Sequence, residues 1–118
     1  MSDFNNYSYD LLKDKENTAI IKVHHHALGG NDALSFNKII DELIQSDVSF
    51  LIIDCSQVEL MNSSGLGMLV SAFTNFNNAG KKLYIVSVPD KIKNLLKITH
   101  LDQVLKIYDD QDAALNSI

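Results

Sequence analysis

Apolar and polar residues alternate along the chain in two periods, and the period changes mark the elements. Residues 7–12 bring aromatic and apolar side chains, and the polar cluster Lys13-Asp14-Lys15-Glu16-Asn17 follows them. Over residues 18–25, Ala19, Ile21 and Val23 alternate with Thr18, Ile20 and Lys22. A period of two sends such sets to opposite faces of a strand, so both stretches together predict a hairpin whose turn is longer than two residues. Gly29-Gly30 breaks the chain. Asn31 or Asp32 can then cap a helix to about residue 45, with Leu34, Ile39 and Leu43, joined by Phe36 and Ile40, turned inward. Residues 48–53 form a near-continuous apolar run, as a strand buried among neighbours requires. A helix over 64–77 places Leu66, Leu69, Val70, Phe73 and Phe76 near one face, and Gly80 suits its left-handed end. Its opposite face, with Ser71, Thr74, Asn75 and Asn78, is polar and uncharged; it reads either as plain surface or as a docking face that is cheap to desolvate.

The remainder predicts a strand over 82–88, stopped by Pro89. Proline also opens the next helix, where a missing amide costs nothing. That helix runs to about residue 99 and carries Ile92, Leu95, Leu96 and Ile98. His100-Leu101 is a loop, 104–108 a short strand, and Asp109 to Asp112 start a last helix (Ala113, Ala114, Leu115) with acids at its positive end. Strands that alternate with helices imply right-handed crossovers and a largely parallel sheet. The chain's 118 residues suit one domain, able to bury about two thirds of its unfolded surface.

Between the central apolar run and the helix at 64 lies Asp54-Cys55-Ser56-Gln57-Val58-Glu59-Leu60-Met61-Asn62-Ser63-Ser64-Gly65-Leu66-Gly67. This reads as a loop from a buried strand into a helix start. Asn62, Ser63 and Ser64 are all N-cap types, whose side-chain oxygens accept a bond from a first-turn amide. Gly65 and Gly67 remove bulk where the helix begins, so that another backbone or an anion can come close. Two hydroxyls at the positive end of a helix dipole are either caps or a place where an added phosphate meets free amides and a favourable field. Asp54 reads as a loop cap that accepts amide hydrogen bonds, rather than as half of an acid–base pair with Glu59.

Asp54-x-Ser56, a short spacer and Met61-Asn62-Ser63-Ser64-Gly65-Leu66-Gly67 resemble the signature of the STAS domain, and more narrowly of the bacterial anti-sigma factor antagonists. Leu101-Asp102-x-Val104-Leu105, an acidic turn and Ala113-Ala114-Leu115 resemble the end of the same domain. The resemblance implies a single STAS domain over residues 1–118: an α/β fold with a small mixed, mostly parallel sheet of four or five strands and about four helices. It implies phosphorylation at Ser63, the first hydroxyl residue after the position that is usually Asp, by an anti-sigma factor that is also a serine kinase. It marks Asp54, Ser56, Asn62, Ser63, Ser64, Gly65, Leu66 and Gly67 as motif and partner-binding residues. The sequence departs from the family twice. Asn62 stands where Asp is usual, which keeps the cap and drops a charge. His25-His26-Ala27-Leu28 stands where Gly-x-Leu-Asp is common, in a loop thought to touch the kinase.

Charge and composition narrow the rest. Net charge is −5, arginine is absent and no lysine cluster exceeds Lys81-Lys82, so neither a nucleic-acid stripe nor an arginine clamp is expected. Cys55 is the lone cysteine, which excludes an intrachain disulfide and a thiolate zinc site and suits the cytoplasm. The N-terminus reads as no signal peptide, and no apolar run is long enough to span a bilayer. His24, His25 and His26 lie on a strand end with no acid or cysteine at ligand spacing; only His100 stands elsewhere, and no metal is assigned. Gly-x-Ser-x-Gly, the dinucleotide fingerprint and the P-loop lysine are all missing, so neither an enzyme nor a cofactor is expected. The best reading is a phospho-switched module that binds an anti-sigma factor serine kinase while Ser63 is unphosphorylated. The alternatives are a non-phosphorylated STAS scaffold subunit of a transport or signalling complex, and a phosphate- or nucleotide-binding module.

Overall fold

A computed structural model of the chain describes residues 2–4, 7–11, 17–23, 27–28 and 33–118, with side chains for 17–23 and 35–118. The elements are β1 (Ser2–Phe4), β2 (Tyr7–Leu11), β3 (Thr18–Val23), β4 (Ala27–Leu28), α1 (Ala33–Ile44), β5 (Phe50–Asp54), β6 (Leu60–Met61), α2 (Ser63–Asn78), β7 (Lys82–Val86), α3 (Asp90–Ile98), β8 (Ile107–Tyr108) and α4 (Gln111–Asn116). The proposed caps Asn31 and Asp32, and His24 to His26, fall outside the described residues, as does the side chain of Leu34.

The main sheet runs β1-β2-β3-β5-β7-β8. The two N-terminal pairings are antiparallel, as the predicted hairpin requires, and β3, β5, β7 and β8 run parallel. The expected mixed, mostly parallel sheet with four helices is therefore present. It is wider than four or five strands because β1 adds to the hairpin and makes six. Register sets Ile21 beside Ile53 and Ile53 beside Ile85, in one row across three parallel strands. All three are fully buried. Two-residue alternation then divides the core. On one face, Ala19, Ile21, Leu51, Ile53, Leu83 and Ile85 meet α1, α2 and α3. On the other, Ile20, Ile52, Tyr84 and Val86 meet α4 through Ala114, with Leu115 partly buried against them.

Helix α1 buries Phe36, Ile39, Ile40 and Leu43, the spacing of a single helical stripe. Helix α2 is rotated from the expected stripe. Gly65, Met68, Leu69, Ala72 and Phe76 are buried, whereas Leu66, Val70 and Phe73 are only half-buried. Glycine and alanine carry little side chain, so the helix lays that face against the sheet and the larger Val70 and Phe73 sit at its margin. Gly80 takes φ +76° just beyond the helix, as its left-handed end demands.

Three further boundaries differ from expectation. Strand β7 ends at Val86 because Ser87 takes φ +57°, which leaves the extended region. Pro89 stands one residue before α3, at its N-cap, where its carbonyl accepts from the amides of Ile92 and Lys93, both at 2.9 Å. Residues 101–103 form a 3-10 turn, so the last strand shrinks to Ile107–Tyr108 and Val104 is exposed. Ile98, at the last turn of α3, is also exposed instead of packed.

Candidate functional site

The motif begins at the carboxyl end of β5, the end of a parallel sheet where ligands and partners usually sit. Asp54 closes the first turn: its Oδ1 accepts from the amide of Ser56 at 2.9 Å, the capping role expected of it. Cys55 is buried, and its amide donates to the Val86 carbonyl at 3.1 Å, so the loop leaves the sheet tied to β7. The amide of Val58 donates back to the Cys55 carbonyl at 3.0 Å, and the Val58 side chain is fully buried. Ser56 and Gln57 stay exposed at the tip.

The chain then forms a strand that the sequence did not announce. Leu60–Met61 pair in parallel with Ala27–Leu28, making a two-stranded ribbon apart from the main sheet. Two residues carry no legible alternation, which is why 54–67 reads as loop. The ribbon places Ala27 and Leu28, which stand at the last two positions of the Gly-x-Leu-Asp text, directly beside the motif.

Met61 leads into α2, and here the three rival caps are resolved. Asn62 is the N-cap: its backbone is extended, and its Oδ1 accepts from the amide of Gly65 at 2.9 Å. The Asn62 carbonyl accepts from the Leu66 amide at 3.0 Å. Ser63 and Ser64 therefore occupy the first two helical positions, and both are exposed. The hydroxyl of Ser63 stands in the field of a 16-residue helix without being the group that closes it. No residue of α2 is charged, so nothing on the helix itself opposes that field. Asn62, Ser63, Ser64 and Gly67 are exposed at the helix start, Gly65 is buried under it and Leu66 is half-buried. The exposed polar residues Ser71, Thr74 and Asn78 continue this face along the helix.

Gly67 needs separate treatment. A Cβ built on it meets no atom within 4 Å. Among the described residues nothing uses the space that it leaves, so their packing does not require glycine there. Glycine within a helix costs roughly 0.5–1 kcal/mol relative to alanine. Gly67→Ala is accordingly expected to raise stability by that amount, read as a higher urea midpoint with an unchanged m-value.

A scan of protein families matches the STAS domain model to residues 11–114. The chain belongs to the STAS domain family. A candidate anti-sigma factor antagonist of Thermotoga maritima is 26% identical over 113 residues, covering 95% of this chain and 96% of that protein. The crystal structure of a candidate anti-sigma factor antagonist from the same organism superposes with a TM-score of 0.79 at 23% identity, covering 97% of this chain and 95% of that one. The Bacillus cell fate determinant SpoIIAA, solved in its phosphorylated form, gives a TM-score of 0.69 at 14% identity, covering 94% of this chain and all of that one. At such identities the two structures speak for the fold of this STAS domain, and the mixed α/β architecture with four helices agrees with them.

Among its described residues the STAS domain has no group of three or more His, Cys, Asp or Glu that could hold a metal. No described helix is long and apolar enough to cross a membrane. Cys55 is shut in beneath the motif, and burial, aided by the charge of Asp54, pushes its thiol from the ordinary 9.0 up to about 12. The folded protein thus holds the thiol neutral where the unfolded chain would ionise it. That contribution to stability is complete below pH 9 and is lost as the pH climbs from 9 toward 12, at up to about 1.4 kcal/mol per pH unit. The expected result is a fall in the urea midpoint over that window that is shallower in Cys55→Ala.

Proposed function

We propose that this STAS domain is an anti-sigma factor antagonist switched by a phosphate on Ser63. Unphosphorylated, the surface around Ser63 binds an anti-sigma factor serine kinase and releases the sigma factor that the kinase holds. Phosphorylation adds roughly two negative charges and three acceptor oxygens. The helix start accommodates them, whereas an acidic or apolar partner face does not, and the complex separates. The domain acts by binding, without catalysis or direct contact with nucleic acid, in the cytoplasm.

The observation that carries this reading is the division of labour at the start of α2. Asn62 takes the cap through its 2.9 Å bond to the Gly65 amide, so the exposed Ser63 is left as a surface hydroxyl in the dipole field. The name of the Thermotoga maritima relative and a structural neighbour solved in a phosphorylated form support it. In a mixture of the purified protein, an anti-sigma factor kinase and ATP, the expected outcome is one phosphate on Ser63 and loss of the complex. Ser63→Ala keeps the complex and takes no phosphate. A phosphate that goes elsewhere, or a complex that survives it, defeats the reading.

Two departures from the family text favour a second reading, a scaffold subunit that works without phosphate. Asn62 replaces the usual acid, and the neighbouring β4 segment departs from the family text. This reading predicts stable co-purification with one partner and an unmodified Ser63.

A further inference from the structure

Lys81 and Lys82 are neighbours in sequence, and the sheet brings a third lysine to them. Lys82 opens β7, with its amide donating to the Ser49 carbonyl at 2.8 Å. Lys106 stands just before β8, and its carbonyl accepts from the Ile85 amide at 2.9 Å. The three lysines line one notch near the C-terminal end of α2, together with Phe73, Asn77 and Leu83. The notch measures about 20 Å³. Room for one water begins at about 10–15 Å³, whereas sites that enclose a cofactor span about 300–1,000 Å³, so the notch takes the oxygens of one compact group.

Charge selects the occupant. Three ammonium groups and no acid line the notch, a local +3 in a chain of net −5 that has 15 acids to offer. None of the three lysines makes an ion pair with an acid among the described residues. Lys81 is held in place: its Nζ donates to the Ser46 carbonyl at 3.0 Å and to the Val48 carbonyl. An ammonium has three donors, so one donor and the full charge remain. Packing thus accounts for Lys81. It does not account for Lys82 and Lys106, both exposed, whose charges repel Lys81 and each other. An anion held between them turns that repulsion into attraction. A phosphate-class oxyanion suits the set, because two negative charges and several acceptor oxygens can meet three ammonium groups and the Asn77 amide. A long polyanion or an anionic membrane would be set against the rest of an acidic molecule.

We infer that the notch formed by Asn77, Lys81, Lys82 and Lys106 binds a single free phosphate-class anion, inorganic phosphate or a small phosphate monoester. Lys81 supplies a fixed charge. Lys82 and Lys106 meet the anion from β7 and from the approach to β8, and Asn77 donates from α2. The site is separate from the motif: Asn77 and Ser63 lie near opposite ends of one helix, about 21 Å apart along its axis. A phosphate bound here is not the one proposed for Ser63, and the two sites stand or fall independently.

The test titrates the full chain with inorganic phosphate and follows amide NMR shifts at constant ionic strength, with chloride as the reference anion. Saturable shifts are expected at Asn77, Lys81, Lys82 and Lys106. Lys82→Gln and Lys106→Gln should each weaken binding up to about fivefold, as loss of one partly exposed charge contact does. The two together should abolish saturation. Both positions are exposed, and otherwise unchanged amide spectra verify that the variants fold. Lys91→Gln, on α3 and outside the notch, should bind like the parent. Three results would overturn the assignment: shifts that grow linearly and equally with chloride, saturation unchanged in the double variant, or binding to phosphatidylglycerol vesicles without any response to phosphate.

Discussion

Ser63→Asp is expected to weaken binding of the anti-sigma factor kinase at least about 100-fold, equivalent to about 2.8 kcal/mol, with little change in folding stability. The asymmetry follows from position. Ser63 is exposed at the first turn of α2, and the cap is supplied by Asn62, so removing its hydroxyl breaks no cap bond. A carboxylate there lies at the positive end of the dipole and stabilises the isolated domain by a few tenths of a kcal/mol to about 1 kcal/mol. In the complex the same charge must be desolvated against a partner, and like or unpaired charges in an interface cost several kcal/mol. Isothermal titration of the parent and variant with the kinase, beside urea melts of both, separates the two effects. Equal affinities would remove the electrostatic basis of the switch.

Phe76→Ala is expected to destabilise the domain by about 3–5 kcal/mol, a large part of the roughly 5–15 kcal/mol that holds a small domain together. Phe76 is completely buried in the last turn of α2, in the core that joins α1, α2 and α3 to the sheet. The backbone around it is fixed as well: its carbonyl accepts from the Ala79 amide at 3.1 Å and the Lys81 amide at 2.9 Å. A truncated ring leaves a cavity that this frame cannot close. The loss reaches the site because one rigid helix carries Phe76 at one end and Ser63 at the other. Urea unfolding measures the stability change, and kinase affinity should fall with it only where the fraction unfolded becomes appreciable. A change under about 1 kcal/mol would mean that the end of α2 is not held by its core contact.

Much of this fold is written in residues that report their own environment. The alternation of Ala19, Ile21 and Val23, the apolar run ending in Ile53 and the stretch Leu83 to Val86 all became strands buried in the main sheet. The motif also announces a helix start. What it cannot announce is which of Asn62, Ser63 and Ser64 does the capping, because all three have the necessary oxygen; backbone geometry decides for Asn62. The β4–β6 ribbon is illegible for a different reason, being held by pairing between short segments distant in sequence. The strand expected from Val104 begins only at Ile107, which leaves Val104 exposed, and Ile98 on α3 is exposed too. Helical spacing marks a face, but not whether the sheet extends far enough to cover its last turn. The space that Gly67 leaves is open among the described residues, so the packing within the chain gives no account of that glycine.

The most direct test of the switch is phosphosite mapping of the protein isolated from its own cells during growth and under stress. One phosphate on Ser63, with an occupancy that changes between the two conditions, is the predicted result. An unmodified Ser63 in both, with the protein held in a stable complex, would contradict the switch and favour the scaffold reading.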